Sequence, residues 1–325
     1  MTHDWGFPQV SVFYVAHRLF AAHDRALAAT LADRLAAKVG TEHVFLPFCD
    51  TDEEDLVAEV KGQRLFELDR ERLGRLRAMV ALLHGPSLDD GVCMEIGYAV
   101  ASGIPVLLLS TDFQSYSLTE DGPLLDFPDP LIQAAATRVI RVPRLGPPSS
   151  SHEQDATGYA EFLSRNRAQT DTALDAAVAA LLDLPTPAPR VKAHSKTGQV
   201  YVERSPYEAQ ESDRLARACL DAGHEVVLPR RFDSIDPVTG ALEDLAAVRG
   251  ASRLLADVSG PETPPGAALL IGAALASGVR IAAFHPRPTY THAPGREPNR
   301  RNLMIQYAAH AHLADTEAVQ SWMTS

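Results

Sequence analysis

The apolar positions of this chain fall into short unbroken runs separated by longer mixed stretches. SVFYVA (11–16), AMVALLH (78–84) and IPVLLLS (104–110) are apolar runs of strand length. The stretches 21–38 and 91–102 read as helices. Continuous apolar strands alternating with helices predict a parallel sheet covered by helices on both faces. The order then recurs. VYVE (200–203), EVVLP (225–229), RLLADV (253–258) and VRIAAF (279–284) read as strands, and 207–222, 241–250 and 266–277 as helices. Between the two series lie a Pro/Ser-rich break, LGPPSSSHEQ (145–154), a helical stretch near 157–183, and a second break, LPTPAPRVKAHSK. The pattern predicts a tandem duplication of one α/β domain, with units 1–145 and 197–325 joined by a helical linker over 146–196.

The two units can be set against each other. DDGVCMEIGYAVASG (89–103) and PPGAALLIGAALASG (264–278) share seven of fifteen positions, among them Gly91/Gly266 and Gly97/Gly272. The first copy carries Asp89, Asp90 and Glu95, answered in the second by Pro264, Pro265 and Leu270. Tyr14 pairs with Tyr201, and Asp69 with Asp244. DPLIQAAATRVI (129–140) sits against NLMIQYAAHAHL (302–313), so Asp129 answers Asn302.

Composition narrows the partners. The chain has 325 residues, 46% of them hydrophobic, enough for a buried core in each half. A net charge of −12 gives no general attraction to nucleic acid or anionic lipid, and a small molecule is the expected partner. No apolar run reaches membrane-spanning length, and MTHDWGFPQV has no basic segment followed by an apolar one, so neither a membrane span nor a signal peptide is expected. Cys49, Cys93 and Cys219 are odd in number and widely spaced, which fits a reducing cytoplasm and neither a disulfide frame nor a structural zinc site.

The carboxylates of the first copy carry the candidate chemistry. Glu95 lies in a helix that begins at the carboxyl end of a parallel strand, where open α/β sheets bind ligands. The positive helix N-terminus favours an ionised carboxylate, a potential nucleophile. Asp69 and Asp89 could aim at the same crevice, and neighbouring acids divide into a carboxylate and a proton holder. Such a set suits cleavage of a glycosidic bond with retention through a sugar–enzyme ester. The plainer reading makes Asp89 and Asp90 helix caps and Glu95 a solvated helix residue. The second copy weighs against it. Pro-Pro and Leu are tolerated there, so the fold does not need the acids, and Leu270 marks the Glu95 position as inward-facing.

Tyr14-Val-Ala-x-x-x-Phe20, Asp69, Asp89-x-Gly-x-x-x-Glu95-x-Gly-x-Ala99 and Asn302-Leu303-Met304 together resemble the nucleoside 2-deoxyribosyltransferase family, whose relatives include N-glycosidases of nucleoside monophosphates. The resemblance covers most of 10–142 and, more weakly, 198–313. It implies two tandem Rossmann-like or flavodoxin-like domains packed as a pseudo-dimer. It implies Glu95 as nucleophile on the anomeric carbon, Tyr14 orienting it, and Asp69 and Asp89 holding the base and managing its proton. Gly91, Phe20 and Met304 would line the substrate pocket. In the family the Asn of Asn-Leu-Met comes from a neighbouring subunit and reaches the sugar's 5′ end. Here each copy has lost what the other kept, so the second half is read as the permanent neighbour of the first, with Asn302 completing one site. Asp129 would then face a dead pocket, and a change there is expected to be silent. Val92 replaces the family's Thr, and the first loop, Ala16-His17-Arg18-Leu19, departs from its small Gly-containing form. Both departures bear on which substrate is taken.

Other features stay open. Arg301, with Arg300, and Arg18 read either as solvated arginines or as clamps on a 5′-phosphate. His310 and His312 would share a strand face with no third ligand nearby, so no metal is expected, and no cofactor. The acidic run 50–59 reads as a solvated helix face or a loop over the site. The implied activity is transfer of a (deoxy)ribosyl group to another base or to water. A non-catalytic nucleotide sensor is the alternative, and a homo-oligomer of pseudo-dimers is open.

Overall fold

Leu76–Leu83 and Val106–Ser110 are apolar at nearly every position, and both become central strands buried on two faces. The computed structural model describes residues 12–49, 61–146, 158–189, 196–204, 209–260, 262–286 and 302–325. In the first half, β1 (Val12–Ala16), α1 (Ala22–Val39), β2 (Val44–Phe45), α2 (Lys61–Leu73), β3 (Leu76–Leu83), α3 (Asp90–Ala101), β4 (Val106–Ser110), α4 (Pro130–Ala135), β5 (Arg138–Arg141) and α5 (Gly158–Leu182) follow in order. The second half runs β6 (Lys196–Glu203), α6 (Ala209–Asp221), β7 (Glu225–Val227), α7 (Pro237–Gly250), β8 (Ala251–Asp257), α8 (Pro265–Ser277), β9 (Arg280–Phe284), α9 (Leu303–Ala308), β10 (Ala311–Leu313) and α10 (Thr316–Thr324).

Each half is a five-stranded parallel sheet of the same order. The first is β2-β1-β3-β4-β5, and the second, read from its other edge, is β7-β6-β8-β9-β10. The register agrees with the paired sequences: Tyr14 lies beside Met79, and Tyr201 beside Leu254. The α/β class and paired Rossmann-like sheets are therefore present. The stretch expected as a linker contains α5, whose Leu174, Ala177, Val178 and Leu181 pack with Phe13, Val15 and Val80 on the outer face of the first sheet. The outer face of the second sheet is covered by α6 and α10 through Leu215, Cys219, Val319 and Trp322.

The inner faces share one core. Residues of α3, α8, β3 and β8 form a single buried cluster that spans both halves. The closest helix pair is α3 with α8, and it is reciprocal. A Cβ on Gly97 would overlap the Leu269 carbonyl, and a Cβ on Gly272 would overlap the Met94 carbonyl. Glycine at these two positions lets the two backbones touch. Among the described residues no helix is long and apolar enough to cross a membrane.

Candidate active site

Alternation along β1 puts Phe13 and Val15 towards α1 and α5, and Tyr14 towards α3. Tyr14 is fully buried, and its hydroxyl donates to Glu95 Oε1 at 2.6 Å. Glu95 lies in the second turn of α3 and is only 8% exposed, so it is no solvated helix residue. The phenol donor and the N-terminal end of α3 both face this carboxylate.

Asp89 is the N-cap of α3: its carboxylate accepts from Val92 N at 3.0 Å. The cap reading of Asp89 therefore holds. Burial pushes the Asp89 carboxyl up, against the opposing effects of the Val92 N–H and of Arg18. Asp90 is pushed up to about 7, first by burial and then by the charges of Asp89 and Glu262, with the Thr263 hydroxyl acting the other way. Glu262 and Thr263 belong to the second half, so both halves build this rim.

Asp69, on α2, lies 3.8 Å from Arg72. Arg72 stacks over the Phe45 ring at 3.9 Å, and Phe45 packs on Tyr14 with ring centroids 5.2 Å apart. A continuous set of contacts thus runs from Asp69 to Glu95.

Asn302 comes to this site from the far half. It caps α9, its Oδ1 accepting from Met304 N at 2.9 Å. A Cβ on Gly91 would stand 2.8 Å from Asn302 Nδ2 and 3.1 Å from Asp89 Oδ1. Gly91 is therefore the gap through which Asn302 approaches the head of α3. Behind it Met304 is buried in the shared core, and Tyr307 packs on Phe66 of α2 at 6.1 Å. Phe20, 68% exposed, lies on the loop after β1, which Arg25 holds through the Leu19 and Phe20 carbonyls. Arg18 donates to the Ser87 carbonyl at 2.5 Å. Arg300, Arg301 and the acidic run 50–59 lie outside the described residues. His310 Nδ1 accepts from Ile281 N, and His312 pairs with the Gln306 carbonyl.

The mirrored position is filled rather than empty. Asp129 caps α4 as Asn302 caps α9, and it presses on Gly266 as Asn302 presses on Gly91. Beside it lies Arg231, fully buried, bonded to Asp129, Glu203 and Asp244. Asp129, expected to face a dead pocket, is the first half's ligand to a buried cation. Sequence reasoning missed Arg231 and Glu203. The available signal was Glu203 in the place of Ala16, an inward acid that demands a cation.

The chain matches the nucleoside 2-deoxyribosyltransferase family over residues 13–181. Among solved structures, a conserved protein from Enterococcus faecalis V583 is 34% identical over 32% of this chain, with a TM-score of 0.30. The match spans 65% of that protein's length. A 2-deoxyribosyltransferase from Bacillus psychrosaccharolyticus is 23% identical over 38% of this chain and 90% of its own, also with a TM-score of 0.30. A comparison with curated proteins gives no match.

Proposed function

The chain belongs to the nucleoside 2-deoxyribosyltransferase family, and from that premise we propose that it breaks the N-glycosidic bond of a nucleoside through a covalent ester on Glu95. The observation that carries the reading is the buried Tyr14–Glu95 pair at 2.6 Å at the head of α3. In the first step the Glu95 carboxylate attacks the anomeric carbon, and the bond to the base breaks. The leaving nitrogen takes a proton from an acid of the Asp69/Asp89 pair. Asp89, with its raised carboxyl, suits that part. In the second step an acceptor base or water attacks the same carbon, frees Glu95 and returns its proton to that acid. Two inversions give net retention.

Tyr14 fixes the carboxylate, Phe20 is exposed for stacking on a base, and Met304 backs the sugar side. Asn302 meets the 5′ end. Among the described residues the rim around it is acidic, with Asp89, Asp90 and Glu262, and Arg18 donates to the Ser87 carbonyl. The charge of these described residues is the reason a nucleoside, with a free 5′-hydroxyl, is put forward as the substrate. The second half, taken as a duplicated copy over about 197–325, then serves as a built-in neighbour in a pseudo-dimer.

The test is a panel of nucleosides and 5′-monophosphates, each with and without an acceptor base, read by chromatography. Base exchange or base release with nucleosides supports the reading and separates transfer from hydrolysis. Tight binding with no released base on any of them makes the protein a sensor and defeats it.

A further inference from the structure

The guanidinium of Arg231 lies in the second half's counterpart of the active pocket. The counterparts of the first site surround it: Tyr201 for Tyr14, Asp244 for Asp69, Gly266 for Gly91 and Asp129 for Asn302. A Cβ on Gly266 would lie 2.7 Å from its Nη2. All five donors are engaged. Nε and Nη2 donate to Asp129 at 3.1 and 3.3 Å, Nη1 donates to Glu203 at 3.3 Å and Asp244 at 3.1 Å, and Nη2 donates further to Glu203. Asp244 also accepts from the backbone of Arg230 and Arg231, and the Phe232 ring lies 4.2 Å from the guanidinium carbon. The loop that delivers the arginine, LPRRFD (228–233), is one residue longer than its counterpart LPFCD (46–50).

Such a group is not a surface arginine that happens to be covered. Three buried carboxylates around one guanidinium keep it there, because a planar fork with five donors can satisfy all of them and an ammonium cannot. The carboxylates also come from both halves, Asp129 from the first and Glu203 and Asp244 from the second. Arg231 thereby ties the cap of α4 to α7 and β6. Helix α4 packs on α7 and α8, α8 packs on α3, and α3 carries Gly91 against Asn302.

We propose that Arg231 is the resident occupant of the second pocket, standing where a ligand would, and is a positioning residue that fixes the halves so that Asn302 reaches the first pocket. The positioning clause rests on the reading of Glu95 and Asn302 as one active site, and the occupancy clause does not. The second pocket is thus closed to nucleoside by the chain itself.

Two measurements test this on the full chain. Thermal melts of Arg231→Ala are run with ethylguanidinium, methylammonium and urea at millimolar concentration. A lowered melting temperature that only ethylguanidinium restores, with saturation, is expected. Equal effects of the three additives overturn the occupancy. The second measurement uses Arg231→Lys, which keeps the charge and loses the fork. Its kcat on a nucleoside is expected to fall about tenfold or more, while the 5′-deoxy analogue loses less than about twofold, as for loss of one 5′ contact worth a charge-free hydrogen bond. Equal losses on both substrates overturn the positioning role. Where Arg231→Ala does not fold unaided, the Lys variant decides the positioning role, and recovery of folded Arg231→Ala by ethylguanidinium alone is the result expected for the occupancy; recovery by none of the three additives, or equally by all, overturns it. Where wild type releases base from no nucleoside, the proposed function has failed and the melts still judge the occupancy.

Discussion

Glu95 and Leu270 occupy equivalent buried positions, and only one of them bears a charge. A buried carboxylate is costly unless something holds it, and the Tyr14 hydroxyl does. Tyr14→Phe removes a hydrogen bond to a charged group, worth about 1.5–3 kcal/mol, so kcat should fall roughly 10–100-fold with KM little changed. Steady-state kinetics checks this, and an unaltered kcat would contradict the orienting role. Asp90 makes a separate prediction. Its folded-state carboxyl titrates at about 7, above the ordinary 3.8, so the unfolded chain gives up this proton first as pH rises. Its charge therefore weighs against the folded state increasingly from about pH 4, and fully above about 7. Asp90→Asn should melt a few degrees above wild type at pH 8, with the gap closing towards pH 4. Melts across that range check it, and a gap independent of pH would count against it. At this scale Asp89 and Glu95 stood out in the sequence because Pro264 and Leu270 answer them in the second half, whereas Tyr14 and Asp69, matched by Tyr201 and Asp244, stood out only through the family resemblance. Arg231 did not stand out. Its partners lie 13, 28 and 102 positions away, and an Arg-Arg pair in a loop looks like surface.

Helices α3 and α8 meet backbone to backbone, and their glycines make that contact possible. In an ordinary exposed helix Gly→Ala stabilises by about 1 kcal/mol. Gly97→Ala should do the opposite. Its Cβ enters the Leu269 carbonyl, and the helices must separate, at a cost of at least the usual 1–3 kcal/mol for overpacking. Denaturant melts measure it, and a neutral or stabilising result would contradict the packing. The long elements of this interface were legible from apolar runs of five or more residues. Some short ones were not: β2 has two residues, too few for any periodicity, and α4 and α9 have six each. These two helices are defined by their caps, Asp129 and Asn302, and a cap is visible in sequence only once the helix behind it is known. α5 was legible as a helix, but its packing on the first sheet was not, because the apolar face of a linker helix and that of a core helix look alike in sequence.

The molecule as a whole pairs two sheets of one topology through a single shared core, and places unlike residues at its two mirrored pockets. Asn302 stands against Gly91 of the helix that carries Glu95, and Asp129 and Arg231 stand against Gly266 of the helix that carries Leu270. Two substitutions at mirrored caps should therefore differ in kind. Asn302→Asp keeps the oxygen that caps α9 and loses the Nδ2 donor beside Asp89, so activity should fall about 10-fold or more with little change in melting temperature. Asp129→Asn keeps the cap and removes a carboxylate from Arg231, so stability should fall by about 3–5 kcal/mol, the range for breaking a buried ion pair, with site chemistry following only through the fold. Kinetics and melts on both variants check the contrast. The reverse pattern would mean that the two pockets are assigned the wrong way round.

The most direct test of the central claim is the mass of the protein after reaction with a 2-fluoro-arabino nucleoside, a substrate whose glycosyl ester turns over slowly. One sugar per chain, on the peptide that contains Glu95 and none on the peptide that contains Leu270, is the predicted result. Two sugars per chain, an adduct on another residue, or base release from this substrate with no adduct would contradict a single Glu95 site completed by the second half.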